Sequence, residues 1–383
     1  MADIKEEFQK RFQKKPDHIF FSPGRVNLIG EHIDYNGGKV MPCAISLGTY
    51  LAVSKNTDKV FRFQCLNFPE TAELHLQNSY TKSGKEWFNY PLGILDEVLS
   101  LGHSVSGLDM LFDGNLPIGA GLSSSASIEV LMAYALEELF QLNLPKIEIA
   151  LLSKKVENEF IGVNCGIMDQ FAVTFGEENK AILLDCDSLD YELLPFDTDG
   201  YSLVIINTNK TRSLADSKYN ERFAQCGAAL KVLRKEIDAK NLCDIDMDTF
   251  QAHKYLIQDP VLQKRSLHVI SENFRVKKAT EVLTENKLQE FGQLMYESHQ
   301  SLKELYEVSG IELDTIVEFC KGYKACLGAR MTGAGFGGCA IALVDKQRID
   351  DFTKRLVDFY KYRIGYAPTV FASEIGNGVR HIS

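Results

Sequence analysis

Along this chain, apolar residues recur at helical spacing in some stretches and alternate or cluster at strand length in others. Ile4, Phe8 and Phe12 share one side of a short N-terminal helix. Its polar face mixes both charge signs, so a packed cap is expected rather than a membrane anchor. Leu47–Val53, Val60–Cys65 and Leu108–Phe112 read as strands. Ser125–Phe140 reads as a helix with Ile128, Leu131, Ala135 and Leu139 on one stripe, and a second helix covers Lys146–Ile161. Ala181–Leu184 and Leu203–Asn207 look like buried strands. A long helix is expected from about Leu214 to Ile237, its apolar stripe formed by Tyr219, Phe223, Cys226, Leu230 and Leu233. Helical pattern continues to about Leu305, and strands return at Cys339–Val344 and Thr369–Ser373.

Strands and helices mix without a βαβα alternation, which favours an α+β fold over a doubly wound sheet. At 383 residues the chain is long enough for about two domains. No linker marks the boundary, and a break near residue 195 is expected, giving 1–195 and 196–383. The balance of 42 Lys and Arg against 52 Asp and Glu leaves −10 charges with no basic run, which argues against a nucleic-acid partner. The polar N-terminus argues against a signal peptide, and uncharged runs such as Gly114–Ile128 are too short to span a bilayer. Nine scattered cysteines without a CxxC pair suggest reduced thiols and a cytoplasmic protein. Oligomeric state is left open, a monomer being compatible with the pattern. The eight histidines show no HxH or HxxxH spacing, so a transition-metal site is not expected.

Three glycine-rich segments carry the candidate chemistry. Ser22–Pro42 reads as a glycine-punctuated loop presenting Arg25, Glu31, His32 and Asp34. Carboxylates that accept hydrogen bonds and a forked arginine that donates them could grip several hydroxyls, although a solvated turn with incidental charges fits the spacing equally well. Leu116–Ala126, LPIGAGLSSSA, runs straight into a helix, as an anion-binding N-terminus would. No Gly-Lys-Ser/Thr follows, so it is not a Walker A loop. Met331–Cys339 satisfies GxGxxG literally, but a strand follows where a dinucleotide-binding turn needs a helix. A fourth segment places Asp169 in apolar company after Cys165–Met168, where a carboxylate is either paired or functional. Glu157 lies one position off a helix stripe, and pattern alone favours a solvent-facing residue over a metal ligand.

These strings resemble a known family. GRVNLIGEHIDYNGG is similar to the galactokinase signature, while PIGAGLSSSA and MTGAGFGGC resemble the second and third motifs of the GHMP small-molecule kinases. CGIMDQF and Ser217–Arg222 are galactokinase-like as well, and the resemblance runs from about Ser22 to the C-terminus. It implies two α+β domains with the active site between them. It implies transfer of the ATP γ-phosphate to the C1 hydroxyl of galactose. Glu31, His32, Ile33, Asp34, Gly166 and Tyr219 would then hold the sugar, although Tyr219 by pattern alone is a core residue. Asp169 would lie beside the C1 hydroxyl with Arg25 next to it. Gly119, Ala120, Gly121, Leu122, Ser123, Ser124 and Ser125 would wrap the phosphates, and Ser125 and Glu157 would hold Mg²⁺. A kinase for N-acetylgalactosamine or a related sugar is the same-class alternative. A non-catalytic galactose and ATP sensor is the other, weighed down by an intact Leu122–Ala126 and the presence of Asp169.

Overall fold

The computed structural model describes residues 2–117, 119–198, 200–210 and 215–383. The expected start of the long helix at Leu214, and Ile118 in the second glycine segment, lie outside them.

A helix α1 (Ala2–Phe12) precedes strand β1 (His18–Asn27), then β2 (Lys39–Val40), β3 (Pro42–Lys55), β4 (Val60–Cys65) and β5 (Ala72–His75). Helix α2 (Asn89–Ser100), β6 (Leu108–Gly114), α3 (Ser124–Phe140), α4 (Lys146–Lys155) and α5 (Met168–Phe175) follow, then β7 (Lys180–Asp185), β8 (Tyr191–Pro195) and β9 (Tyr201–Asn207). The remainder is α6 (Ala215–Leu233), α7 (Met247–His253), α8 (Pro260–Thr284), α9 (Leu288–Ser301), α10 (Ile311–Gly322), β10 (Cys326–Thr332), β11 (Cys339–Asp345), α11 (Ile349–Ile364), β12 (Thr369–Ser373) and β13 (Arg380–His381).

Three sheets organise these elements, in the orders β13-β1-β3-β6-β4-β5, β10-β11-β9-β12 and β2-β7-β8. Pairing is antiparallel except between β4 and β6, as expected of an α+β chain without repeated crossover units. One face of the first sheet is covered by a core that takes Leu131, Leu136 and Met132 from α3, Leu95 from α2, and Phe61, Phe63 and Phe112 from the strands. The other face carries a small cluster in which Ile4 and Phe8 of α1 meet Ile19, Ala52 and Leu111. The N-terminal helix is therefore a packed cap, as its pattern predicts. The largest core runs across residue 195, joining Val26, Leu28 and Ile182 to Ile205, Ile341 and Leu356. The chain also returns at its far end to pair β13 with β1.

Two expectations are corrected. Ser22–Asn27 is not a loop: it is the buried second half of β1, with an irregularity at Pro23–Arg25. Gly24 is needed there, because a Cβ would lie 2.6 Å from the Leu122 carbonyl oxygen and 2.6 Å from Leu116 Cδ2. The first and second glycine segments thus touch backbone to backbone, with Arg25 N–H donating to Leu122 O at 3.2 Å. On α6 the buried stripe is Arg222, Cys226, Ala229 and Leu233, and Phe223 is exposed. A charged side chain holds an interior position because it finds acceptors: Arg222 Nε donates to Tyr306 O at 2.7 Å and Nη2 to Glu307 O at 3.1 Å.

Phe8 is fully buried between α1 and the first sheet. Phe8→Ala should lower unfolding free energy by about 3 kcal/mol, read from urea denaturation. A midpoint equal to the parent's would mean that α1 contributes nothing to the sheet.

Candidate active site

Between the glycine segments lies a cleft of about 840 Å³, whose walls include Arg25, Asp34, Ser125, Glu157, Asp169 and Tyr219. Arg25 stands at its centre. From β1 its Nε donates to Asp169 Oδ1 at 2.9 Å and its Nη2 to Oδ2 at 2.8 Å, while Nη1 donates to Gly121 O at 2.8 Å. The guanidinium fork thus fixes the carboxylate of α5 and the second glycine segment with one rigid group. Ser123 Oγ closes the other side of the carboxylate, donating to Asp169 Oδ2 at 2.6 Å.

That contact shapes the start of α3. Ser123 stands where a capping side chain would, but its backbone is left-handed at φ 63° and its hydroxyl is engaged by Asp169. Ser123 makes no side-chain cap, and the positive end of α3 lies at the cleft wall that Ser124 and Ser125 line. Gly119 and Gly121, both at positive φ, carry the backbone around this end. Ala120 and Leu122 are buried in the core, so any ligand contact of theirs is through the main chain. Ser124 and Ser125 face the cleft.

Glu157 is 8% exposed, not solvent-facing as pattern alone favours. It sits in a turn of π-helix, Val156–Ile161, that follows α4, and the wider turn aims it at the Ser125 hydroxyl. Glu157 Oε2 accepts from Gln170 Nε2 at 2.6 Å, and burial pushes its carboxyl above the usual range. A hydroxyl and a carboxylate side by side, open to a phosphate-sized space, are hard oxygen donors of the kind a divalent cation takes while keeping waters and phosphate oxygens. The residues present therefore fit a kinase metal.

The sugar-end residues divide into three kinds. Glu31 and His32 are wall residues with their polar atoms taken. Glu31 accepts from Asn27 Nδ2, from Gly333 N–H and from Arg330 Nη1, the last at 3.1 Å with Arg330 fully buried. His32 Nε2 donates to Ala334 O at 3.1 Å, so Nδ1 is the acceptor for Tyr35 Oη at 2.9 Å. Burial holds this imidazole neutral, with its pKa lowered to about 3. Tyr35 accepts from Tyr306 at 2.8 Å, and Tyr306 from the Cys226 thiol at 3.1 Å. Ile33 is of the second kind: fully buried in the main core, it offers a ligand nothing but its backbone. Asp34, Gly166 and Tyr219 make up the third kind, half-buried residues that line the cleft. A Cβ on Gly166 would lie 2.5 Å from Asp34 Oδ2, so the glycine leaves that carboxylate its space.

Sequence reasoning therefore assembled residues that the chain does bring together, from β1, the second glycine segment, the π turn and α5. It missed Asn164, Asn207, Lys210 and Asn220, which also line the cleft. Lys210 Nζ pairs with Glu312 Oε2 at 2.9 Å, and its stem runs past the third glycine segment, where Gly337 leaves it room. The polar run NTNK at the end of β9 could have drawn attention to two of these, Asn207 and Lys210.

Three family profiles match the chain: the galactokinase galactose-binding signature over residues 6–55, the GHMP kinases N terminal domain over 89–177, and the GHMP kinases C terminal over 278–361. A galactokinase of Clostridium tetani is 48% identical over 381 residues, 99% of this chain and 97% of its own. A galactokinase of Enterococcus faecalis is 49% identical over 382 residues, 99% of both chains. The chain belongs to the galactokinase family. A solved Lactococcus lactis galactokinase complexed with galactose superposes with a TM-score of 0.95 at 43% identity, covering 100% of this chain and 99% of its own. A Methanococcus jannaschii mevalonate kinase, at 21% identity, TM-score 0.67 and coverage of 94% and 99%, shares the fold. Like its family, the protein is a kinase of α+β architecture, built for ATP-dependent phosphoryl transfer.

Burial first, then the nearby Asp169 charge, pushes the Asp34 carboxyl up to about 7. Ionising it in the folded protein is unfavourable relative to the unfolded chain, where it titrates near 3.9. The penalty is absent below about pH 4, grows through the window and is complete above about pH 7. Asp34→Asn should raise the ligand-free Tm by a few degrees at pH 8 and leave it unchanged at pH 4. A gain of equal size at both values would show that Asp34 is not held in this way.

Proposed function

We propose that this protein transfers the γ-phosphoryl group of ATP to the C1 hydroxyl of α-D-galactose, giving α-D-galactose 1-phosphate and ADP. The observation that carries the reading is Asp169, held from two sides by Arg25 and Ser123 within the same cleft as the uncapped start of α3. A hydroxyl is a weak nucleophile, and a carboxylate fixed at hydrogen-bond distance takes its proton as attack proceeds. Phosphoryl transfer otherwise asks for positioning and for charge stabilisation.

In this reading the sugar lies beside Asp34, which accepts from its hydroxyls, and Tyr219 and Gly166 complete the pocket. The carboxylate of Glu31 and the ring of His32 hold the third glycine segment against the first, and their remaining surface forms the sugar's wall. Asp169 receives the C1 hydroxyl proton. Arg25 keeps Asp169 oriented and lends positive charge beside the transferring group. The segment Gly119–Ser125 and the first N–H groups of α3 embrace the phosphates. Ser125 and Glu157 hold Mg²⁺, which when bound neutralises phosphate charge and orients its oxygens. We also propose the division at 195, between β8 and β9, as the domain boundary. The nine cysteines are all free, which supports a cytoplasmic setting, and no helix among the described residues is long and apolar enough to cross a membrane.

The test is ADP release with Mg·ATP against galactose, N-acetylgalactosamine, glucose, arabinose and mevalonate. Galactose should be used well above the rest. Preferred turnover of N-acetylgalactosamine would reassign the substrate, and binding of galactose and ATP without turnover would make the protein a sensor. Asp169→Asn keeps the shape and removes the charge. It should lower kcat about a thousandfold while calorimetric galactose binding stays within a few-fold. Near-normal kcat would remove Asp169 from the chemistry.

A further inference from the structure

A triphosphate carries more negative charge than one divalent cation cancels, so a cleft that handles it needs cationic side chains as well. Among the described residues that line this cleft, the carboxyl groups of Glu31, Asp34, Glu157 and Asp169 face two cationic side chains, Arg25 and Lys210. Arg25 is already engaged, with Nε and Nη2 donating to Asp169 and Nη1 to Gly121 O. Lys210 is not so tied. It follows β9, is half-buried, and its Nζ donates to Glu312 Oε2 at 2.9 Å. An ammonium has three hydrogens, so this one pairing tethers the side chain and leaves two to give.

The third glycine segment relates Lys210 to the phosphate end of the cleft. At the start of the segment, a Cβ on Gly333 would lie 3.3 Å from Gly121 O. Near its end, a Cβ on Gly337 would lie 3.2 Å from Lys210 Cβ and Cδ, and Thr208 N–H donates to Gly338 O at 2.8 Å. Gly121 and Lys210 thus flank one short segment, the first from the side of α3 and the second from the side of β9. The Lys210–Glu312 pair is partly exposed, and such a pair contributes little to stability by itself. Its effect is to hold an ammonium at the cleft wall.

We propose that Lys210 is a phosphate-binding residue, whose tethered ammonium donates to the phosphate chain of ATP from the β9 side of the cleft while Gly119–Ser125 embraces it from the other. A lysine suits the place, being a compact point charge on a flexible stem. The proposal rests on the kinase reading above.

The experiment is calorimetry on the full chain without sugar, with Mg·ATP and adenosine as probes. Lys210→Met keeps the stem beside Gly337 and removes the charge. Its affinity for Mg·ATP should fall about tenfold, while its affinities for adenosine and, in a separate titration, for galactose stay at the parent's values. Glu312→Gln breaks the ion pair but leaves the ammonium and an acceptor for it, and should stay within about threefold of the parent for Mg·ATP. Unaltered Mg·ATP affinity in Lys210→Met overturns the proposal. So does an equal loss for adenosine or galactose, or an equal loss in Glu312→Gln, each of which would make the pair a structural tie. A parent that binds Mg·ATP but phosphorylates no sugar would overturn the galactokinase reaction and leave this test intact, whereas a parent that binds no Mg·ATP would overturn both.

Discussion

The structure turns on one guanidinium. Arg25 is anchored in a buried strand, and its fork reaches two other segments of the cleft, the carboxylate of Asp169 and the carbonyl of Gly121. Such a group tolerates little displacement, because planar, bidentate geometry is lost with a small tilt. The distance between a reacting hydroxyl's partner and the phosphate-binding backbone is thereby set before any ligand arrives. Gly24 serves the same end, letting two backbones meet where any larger residue would hold them apart.

A second lock joins the first glycine segment to the third. Glu31 receives donors from its own strand end, from Gly333 and from Arg330, and the next residue, His32, donates to Ala334. Behind His32 a chain of hydroxyls runs through Tyr35 and Tyr306 to the Cys226 thiol, each member donating toward the imidazole. Tyr306 owes its place to a second π-helical turn, Leu302–Tyr306. Both π-helical turns among the described residues therefore serve the cleft or its wall, where an extra residue per turn re-aims a side chain that a regular helix would turn away.

Much of this was legible in the sequence, and the part that was not has physical causes. The three glycine segments and Asp169 are local strings, and their residue types announce close backbone approach and paired charge. Pro23 and Gly24 give strand β1 the pattern of a loop from Ser22 onward, yet a strand irregularity accommodates both. Arg222 and Phe223 exchanged their expected places because the acceptors that make an interior arginine tolerable lie about eighty residues away. Glu157 and Glu129 are ordinary helix formers by composition. Only the neighbours brought by folding show that one is aimed into the cleft and the other shut away from water.

The return of β13 to β1 makes the first sheet a clasp that closes over a long loop. Phe20 and its partner His381 stand 361 positions apart in the sequence. Until that pairing forms, one edge of β1 stands unpaired beside hydrophobic sheet faces. Contacts of such long sequence separation must meet the entropy of loop closure before they reward it, so completion of the first sheet belongs with the slower steps in reaching the native state.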